Sequence, residues 1–296
     1  MTAPSDEADR IARIGAAAQE AAADIAATAT DALDEIGEAA DRAIDGVVGA
    51  PTGRIERFEH AGMCLVAERH GDPASTLTFV LVHGIGMGRK VFADLVLHLR
   101  EHAAVIAIDQ PGYGQAPEPP RTPTMERTAD LVAAYLRGAV RRPVVLIGHS
   151  MGTQVVTEVA VRHPDTVERI VLVAPTVDRR RRRAATQMLR LGRDLLGESA
   201  KVLMLGTREY LRAGPNLRRK MHAMLAHRPE DAYPSVAVPA LIVRGERDLV
   251  VPQPWFDEVV GAIPDATPFV VDGHHHETLI RDAAPAAAEI RRFAAG

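Results

Sequence analysis

The sequence predicts an α/β fold: an eight-stranded, mostly parallel sheet with helices on both faces, a helical cap insertion and a long N-terminal amphipathic helix. Three observations support this prediction. From residue 54 onward, short apolar runs alternate with segments of helical spacing, the pattern of a parallel sheet covered on both faces. About sixty residues between Val173 and Ala240 lack strand character, which is too long for a simple crossover. The first fifty residues are alanine-rich and acidic, unlike the rest.

Residues 1–50 are predicted to form a long amphipathic helix outside the main domain. Apolar side chains at Ile14, Ile25, Ile36 and Val47 recur every eleven residues, so they stay on one face of a nearly undistorted helix. Two interpretations stay open: a helix used for self-association or for another apolar partner, and a marginal helix that is mostly solvated. The glycine- and proline-containing stretch that follows is typical of a linker.

The main domain, residues 54–296, is predicted to begin with a strand pair joined at a turn and to continue with alternating strands and helices. Strands are predicted at residues 54–60, 63–70, 76–83, 103–109, 143–148, 169–173, 240–243 and 267–271. Helices are predicted near residues 90–101, 122–138, 151–163 and 277–294.

The long gap before the seventh strand predicts a helical insertion at about residues 176–236 that covers the site and sets its specificity. Residues 178–231 carry a net charge of +8 and residues 1–50 one of −8. Because complementary charges favour docking, a hypothesis is that the N-terminal segment lies against the insertion of its own or of a neighbouring chain. The run Arg179–Arg183 has three interpretations: a solvated helix face, a contact for an anionic substrate or partner, or nucleic-acid binding. Because aromatic residues make up only 4% of the chain and no other basic surface is evident, nucleic-acid binding is not expected.

Composition limits the class of protein. A chain of 296 residues with 47% hydrophobic residues can hold one large α/β domain with attachments. No apolar run approaches the roughly 20 residues needed to span a bilayer, and the N-terminus lacks the pattern of a secretory signal. The single cysteine, Cys64, allows no disulfide framework. We therefore expect a cytoplasmic protein, and the excess of arginine over lysine is typical of a GC-rich bacterial genome.

The most informative stretch is Gly148-His149-Ser150-Met151-Gly152, which closes an apolar run and opens a segment of helical spacing. A serine with glycine two positions away on either side, at a strand-to-helix switch, is the pattern of a nucleophile elbow. The turn forces strained backbone angles on Ser150, and a side chain at either glycine would clash with a neighbouring strand or helix. The hydroxyl is then presented to an incoming carbonyl, which predicts nucleophilic chemistry.

Together with four further motifs in the expected order, this elbow makes residues 54–294 resemble the α/β-hydrolase fold superfamily, specifically its compact esterase-like members with a helical cap. One motif is the loop His83-Gly84-Ile85-Gly86, and the resemblance implies an oxyanion hole formed by the backbone N–H groups of Ile85 and Met151. A glycine-rich loop can also cradle phosphate, but no lysine–serine pair follows this one. The turn that begins at Asp109 (residues 109–114) resembles a family turn with a mainly architectural role.

The resemblance also places an acid after the seventh strand. In Gly245-Glu246-Arg247-Asp248 the family's aspartate corresponds to Asp248, and Glu246 is its nearest competitor. Asp248 is then expected to bind one ring nitrogen of a histidine, fix its tautomer and stabilise the imidazolium form.

The base is expected after the eighth strand, where the chain has His274-His275-His276. The family pattern of glycine, two variable residues and histidine, counted from Gly273, selects His276, with His275 as the next choice. Three histidines also suggest a metal cluster, but adjacent residues in one loop rarely converge on one ion, so no metal is expected. The chain order of nucleophile, acid and base is that of α/β-hydrolases.

The activity that the resemblance implies is cleavage of carboxylic esters through an acyl-enzyme on Ser150, Asp248 and His276, with a small-molecule substrate, acyl or anionic, and no cofactor. One alternative is a carbon–carbon bond hydrolase of ring-fission diketones. Those enzymes usually carry an aromatic residue after the histidine, where this chain has Glu277, and an asparagine before the serine, where it has His149. Perhydrolysis is a further side activity of members that share Gly-His-Ser-Met-Gly. A non-catalytic interaction protein is disfavoured because all three triad positions are filled.

Overall fold

A computed structural model describes residues 53–140, 143–182, 216–280 and 282–296. Across these ranges the chain forms one eight-stranded sheet in the order β1-β2-β4-β3-β5-β6-β7-β8. Strands β1, β2 and β4 pair antiparallel, and the other pairs are parallel, so the predicted mostly parallel sheet is confirmed. The strands are β1 Arg54–His60, β2 Met63–His70, β3 Thr78–Val82, β4 Ala104–Asp109, β5 Val144–His149, β6 Arg169–Val173, β7 Ala240–Gly245 and β8 Ala266–Val271.

Seven α-helices lie in the described ranges, interspersed with short 3-10 turns. The helices are α1 Ala93–Leu99, α2 Met125–Ala139, α3 Met151–Arg162, α4 Asn216–Ala226, α5 Pro229–Ala232, α6 Gln253–Ala262 and α7 Ala284–Ala294. The 3-10 turns are Arg89–Phe92, Pro164–Thr166, Arg179–Arg181 and Tyr233–Ser235. None of the helices in these ranges is long and apolar enough to cross a bilayer.

The sheet has an apolar core on each face. Successive side chains of a strand point to opposite faces, and β3 shows this clearly, since Val80 and Val82 pack in one cluster and Phe79 and Leu81 in the other. The first cluster also contains side chains of α2, α3 and α6, and the second contains side chains of α1 and α7. Helices therefore cover both faces, which leaves the ends of the strands and their loops to form a site.

Two features of the C-terminal half differ from the predictions. The last helix, expected at residues 277–294, begins only at Ala284, because Pro285 suits the first turn of a helix and the preceding residues form a turn instead. Helix α6 was not predicted, although Pro252 and Pro254 at its start are a recognisable signal for a helix N-terminus.

The predicted insertion is only partly described. Between β6 and β7 the structure describes residues 174–182 and 216–239, where it shows α4, α5 and two 3-10 turns, and no strand within those two ranges. The apolar stripes around residues 188–205, which support the prediction of a helical cap, lie outside the described residues. The N-terminal amphipathic helix, its eleven-residue repeat and its expected role in self-association also lie outside them.

Candidate active site

The strand-to-helix turn at Ser150 has the strained geometry that its two flanking glycines predict. Ser150 lies between β5 and α3 with φ 53° and ψ −119°, a region that residues with a side chain rarely adopt. A Cβ atom on Gly148 would lie 2.5 Å from the carbonyl oxygen of Gly152, and one on Gly152 would lie 2.2 Å from that of Val82. Glycine is therefore required at both positions for the helix to start so close to the sheet.

Three buried side chains from separate loops form a continuous hydrogen-bonded chain. The Nε2 atom of His276 lies 3.1 Å from the Oγ atom of Ser150, and its Nδ1 atom lies 2.9 Å from Oδ2 of Asp248. An ionised carboxylate can only accept a hydrogen bond, so Nδ1 carries the proton and Nε2 is left to accept the hydroxyl proton of Ser150. This arrangement allows a general base to activate the serine.

Asp248 is held as a carboxylate by its surroundings. Burial of the carboxyl group favours its neutral form, but the imidazole of His276 and the backbone N–H groups of Val251 and Val250 outweigh burial and lower the pKa of Asp248. Both N–H groups donate to Oδ1, at 2.9 and 2.8 Å. Oδ1 therefore holds the backbone of its own loop, and Oδ2 accepts the hydrogen bond from Nδ1 of His276.

The competing residues of these two loops have other contacts. Glu246 accepts the N–H of Gly273 at 2.8 Å, so it braces the loop that precedes the histidines. His274 lies 4.0 Å from Asp282, and the carbonyl oxygen of His275 accepts the hydroxyl of Thr278. The side chain that reaches both Ser150 and Asp248 is that of His276.

The loop after β3 lies directly against the serine. A Cβ atom on Gly84 would lie 3.1 Å from Cβ of Ser150. The buried ring of His83 contacts the carbonyl oxygen of Gly84 through Nδ1, at 2.7 Å, and accepts the N–H of Gln110 through Nε2, at 3.2 Å. Burial lowers the pKa of His83, which keeps the ring neutral and suited to this donor–acceptor pattern.

The two predicted oxyanion donors follow residues that lie at the serine, since Met151 follows Ser150 itself and Ile85 follows Gly84, which lies against Ser150. In a trans peptide the carbonyl oxygen and the next N–H point in opposite directions, so the contact of His83 with Gly84 also sets the direction of the Ile85 N–H. Met151 is the first residue of α3, and N–H groups in the first turn of a helix have no partner within the helix.

Asp109 is engaged in shaping the turn at residues 109–114. Its Oδ1 accepts the backbone N–H of Arg89 at 2.6 Å, and its Oδ2 accepts the Arg89 guanidinium and the N–H of Gln115, the latter at 2.9 Å. A Cβ atom on Gly114 would lie 2.3 Å from the carboxyl group. Both carboxylate oxygens of Asp109 thus accept hydrogen bonds from Arg89 and Gln115, which supports the predicted architectural role.

Comparison with known proteins identifies the family of this chain. Residues 79–289 match the model of the Alpha/beta hydrolase family, a span that includes Ser150, Asp248 and His276. The chain belongs to the alpha/beta hydrolase family. The predicted resemblance to this fold is confirmed.

The relatives of this alpha/beta hydrolase are distant. The 2-(acetamidomethylene)succinate hydrolase of Mesorhizobium japonicum is 25% identical over 224 residues, which cover 66% of this chain and 79% of the relative. A pimeloyl-[acyl-carrier protein] methyl ester esterase of Neisseria meningitidis is 37% identical over 107 residues, and the matched region spans only 33% of that relative's length. The solved structure of a thermophilic esterase from Thermogutta terrifontis has a TM-score of 0.69 at 21% identity and covers 81% of this chain and 98% of its own, a likeness that shows the fold.

One residue of the site was missed by sequence reasoning. His149, the residue before Ser150, is fully buried, and its Nε2 atom donates to the carbonyl oxygen of His276 at 2.9 Å. The alternation along β5 could have indicated it, because it places His149 on the same face of the sheet as Val145 and Ile147, which are buried in one apolar cluster. The hydrogen bond joins the strand that carries the serine to the loop that carries the histidine, so His149 is a positioning residue for this pair.

We expect His149 to make this hydrolase less stable as the pH falls from about 6.5 to 4. Burial, followed by the nearby His276, lowers the pKa of His149 to about 4, whereas an unfolded histidine titrates near 6.5. In this interval the unfolded state binds more protons, so acidification favours unfolding by about 3 kcal/mol in total.

Urea unfolding of wild type and His149→Gln at pH 7 and pH 4 measures this effect. Glutamine places an N–H donor near the position of Nε2 for the His276 carbonyl but cannot titrate, and the carboxylates of Asp248 and Glu277 are common to both proteins. From pH 7 to pH 4 the free energy of unfolding should fall by about 3 kcal/mol more in the wild type than in the variant. Parallel pH dependences of the two free energies of unfolding would contradict the assignment.

The described part of the arginine run binds other parts of the protein. Arg179 and Arg180 both form ion pairs with Glu258 on α6. Arg182 donates to the carbonyl oxygens at the end of α4 and pairs with Glu230. Arg179 and Arg180 therefore join the segment after β6 to α6, and Arg182 joins it to the end of α4 and to Glu230. The sequence interpretations did not include this role.

Proposed function

We propose that this alpha/beta hydrolase is a serine hydrolase that cleaves carboxylic esters through an acyl-enzyme on Ser150. The observation that carries the proposal is the hydrogen-bonded chain from Ser150 Oγ through His276 to Asp248, with distances of 3.1 and 2.9 Å. The strained turn at Ser150 supports it, because such strain is typical of a serine presented for attack.

In the first half of the reaction, Nε2 of His276 takes the proton of Ser150 as Oγ attacks the ester carbonyl carbon. The carbonyl π-bond breaks, and its electron pair becomes an oxyanion on the tetrahedral intermediate. The imidazolium then gives its proton to the alkoxide leaving group, and the C–O bond breaks to leave an acyl-enzyme. Asp248 remains ionised and stabilises the imidazolium.

In the second half, His276 takes a proton from water, and the hydroxide attacks the acyl carbon. Collapse of the second intermediate releases a carboxylic acid and returns the proton to Ser150. The proposed donors to both oxyanions are the N–H groups of Ile85 and Met151, each worth about 3 kcal/mol or more of transition-state stabilisation. No step of this mechanism requires a metal or an organic cofactor.

The proposed substrates are small acyl esters, bound beneath a cap formed by the insertion at about residues 176–236. The names of two relatives support hydrolytic chemistry of this kind. One cleaves the methyl ester of a pimeloyl group on acyl-carrier protein, and the other is a hydrolase of a substituted succinate, which is a small molecule. Arg179, Arg180 and Arg182 are not proposed as recognition groups for an anionic substrate, because they form ion pairs with Glu258 and Glu230.

A substrate panel tests this proposal. Nitrophenyl esters of increasing acyl length, matched amides and ring-fission diketones are ranked by kcat/KM. Esters should lead the ranking, because their alkoxide leaves more readily than an amine and the mechanism needs no carbanion. Faster turnover of diketones would instead favour carbon–carbon hydrolysis, and absence of turnover across the panel would favour a non-catalytic binding protein.

A further inference from the structure

A second cluster of ligand-type side chains lies away from Ser150, where α2, α3 and the end of α4 meet. It consists of Glu126, Glu158 and His227, and one ligand atom from each lies within 4.8 Å of the other two. Glu158 and His227 are more than nine-tenths buried, and Oε1 of Glu158 lies 2.8 Å from Nε2 of His227. The proposed ester hydrolysis uses none of these three residues.

The position of His227 is set by contacts outside its ring. Its carbonyl oxygen accepts the guanidinium of Arg182, and its N–H donates to Ala223 at 3.2 Å. Gln154 on α3 donates to the carbonyl of Met224 at 3.2 Å, which holds the end of α4 against α3. The imidazole is therefore presented to the two carboxylates by a braced backbone.

The Nδ1 atom of His227 is buried, and within the described part of the chain it has no hydrogen-bond partner. Because a carboxylate can only accept a hydrogen bond, the single proton of a neutral His227 ring lies on Nε2 in this contact. If an ion binds Nε2, that proton moves to Nδ1 without any change in charge, and the pair of electrons on Nε2 becomes available. The ring can thus change from a hydrogen-bond donor to a metal ligand.

We propose that Glu126, Glu158 and His227 form a site for a divalent transition-metal ion of the Zn²⁺ type. One imidazole and two carboxylates are ligands that such ions accept. In four-coordinate zinc, neighbouring ligand atoms are roughly 3.4 Å apart. On binding an ion, the distance between Glu158 Oε1 and His227 Nε2 would therefore lengthen slightly from 2.8 Å, and the carboxylate of the half-buried Glu126 would move closer to both.

The cluster also has an entry path and an open position. Glu126 and His227 line a cleft of about 790 Å³, so an ion can reach them from one side and a fourth ligand can complete the site there. Arg121, Arg218 and Arg219 line the same cleft, and their positive charge favours an anion in that fourth position. A bound ion would cross-link α2, α3 and the end of α4.

Calorimetric titration of the full chain with ZnCl₂, after chelator treatment and dialysis, tests the site. Glu126→Gln keeps the size of a half-exposed side chain, and His227→Gln keeps a donor for Glu158. Wild type should bind one more equivalent of Zn²⁺ than either variant. Asp130→Asn is the matched control, because Asp130 lies on the same helix and pairs with His163 at 2.8 Å without a third ligand, and it should bind as wild type does.

Thermal unfolding gives a second readout. At a free Zn²⁺ concentration of about 100 times Kd, the folded-to-unfolded ratio should rise about 100-fold in wild type and Asp130→Asn, but not in Glu126→Gln. In metal-free buffer, Glu126→Gln should hydrolyse esters at the same rate as wild type. Ester hydrolysis and Zn²⁺ binding are therefore measured independently, and failure of one proposal does not look like failure of the other. Equal Zn²⁺ stoichiometry in wild type and Glu126→Gln, or no saturable binding in wild type, would overturn the proposal.

Discussion

Replacement of Ser150 by alanine should lower kcat/KM for short nitrophenyl esters by at least about 10³-fold while the fold stays intact. Alanine removes the nucleophilic Oγ and its hydrogen bond to His276, and it leaves the backbone N–H groups of the proposed oxyanion hole in position. Pre-steady-state release of nitrophenol measures the effect directly. Wild type should give a burst of about one equivalent where deacylation is slow, and the variant should give none.

An alkyl fluorophosphonate provides a control that is independent of turnover. Mass spectrometry should find one adduct on wild type, at Ser150, and none on Ser150→Ala. Circular dichroism and thermal unfolding of both proteins test whether the variant is folded. Unchanged ester hydrolysis by a folded Ser150→Ala protein would contradict the proposed mechanism.

Replacement of His276 by alanine should lower kcat by about 10⁴-fold or more, because the serine loses its base and the leaving group loses its acid. The chain offers matched controls in the same loop. His274→Ala and His275→Ala remove rings of the same type from neighbouring positions, and both should retain most of the wild-type activity. The comparison of the three alanine variants at saturating substrate separates a specific role of His276 from a general effect on the loop.

The double variant Ser150→Ala/His276→Ala should be about as inactive as either single variant, since residues that act as a unit show non-additive effects. Multiplicative losses would indicate that the two side chains act independently. If His275→Ala is the inactive protein instead, the assignment of the base within this loop is wrong by one residue.

Much of the fold could be predicted because its signals are local. The runs that form β3, β5 and β7 are apolar and short, and all three appear as strands. The turn at Ser150 was predictable because its signal is also local: two glycines flank the serine. In the structure a side chain on Gly148 or Gly152 would collide with the backbone of a neighbouring element. The choice of Asp248 and His276 came from the family resemblance, applied to the spacing within single loops, and the structure places His276 in contact with both Ser150 and Asp248.

The sequence by itself therefore determined the class of fold, the position of the elbow and the set of residues from which the proposed chemistry is drawn. Tertiary structure alone decided the contacts between distant segments: His149 with the His276 carbonyl, Arg179 and Arg180 with Glu258, and Glu158 with His227. The physical reason is that spacing and periodicity act over a few residues, whereas these contacts join segments 69 to 127 residues apart. Strand order and the docking of α4 and α6 bring such segments together, and no local pattern encodes either one.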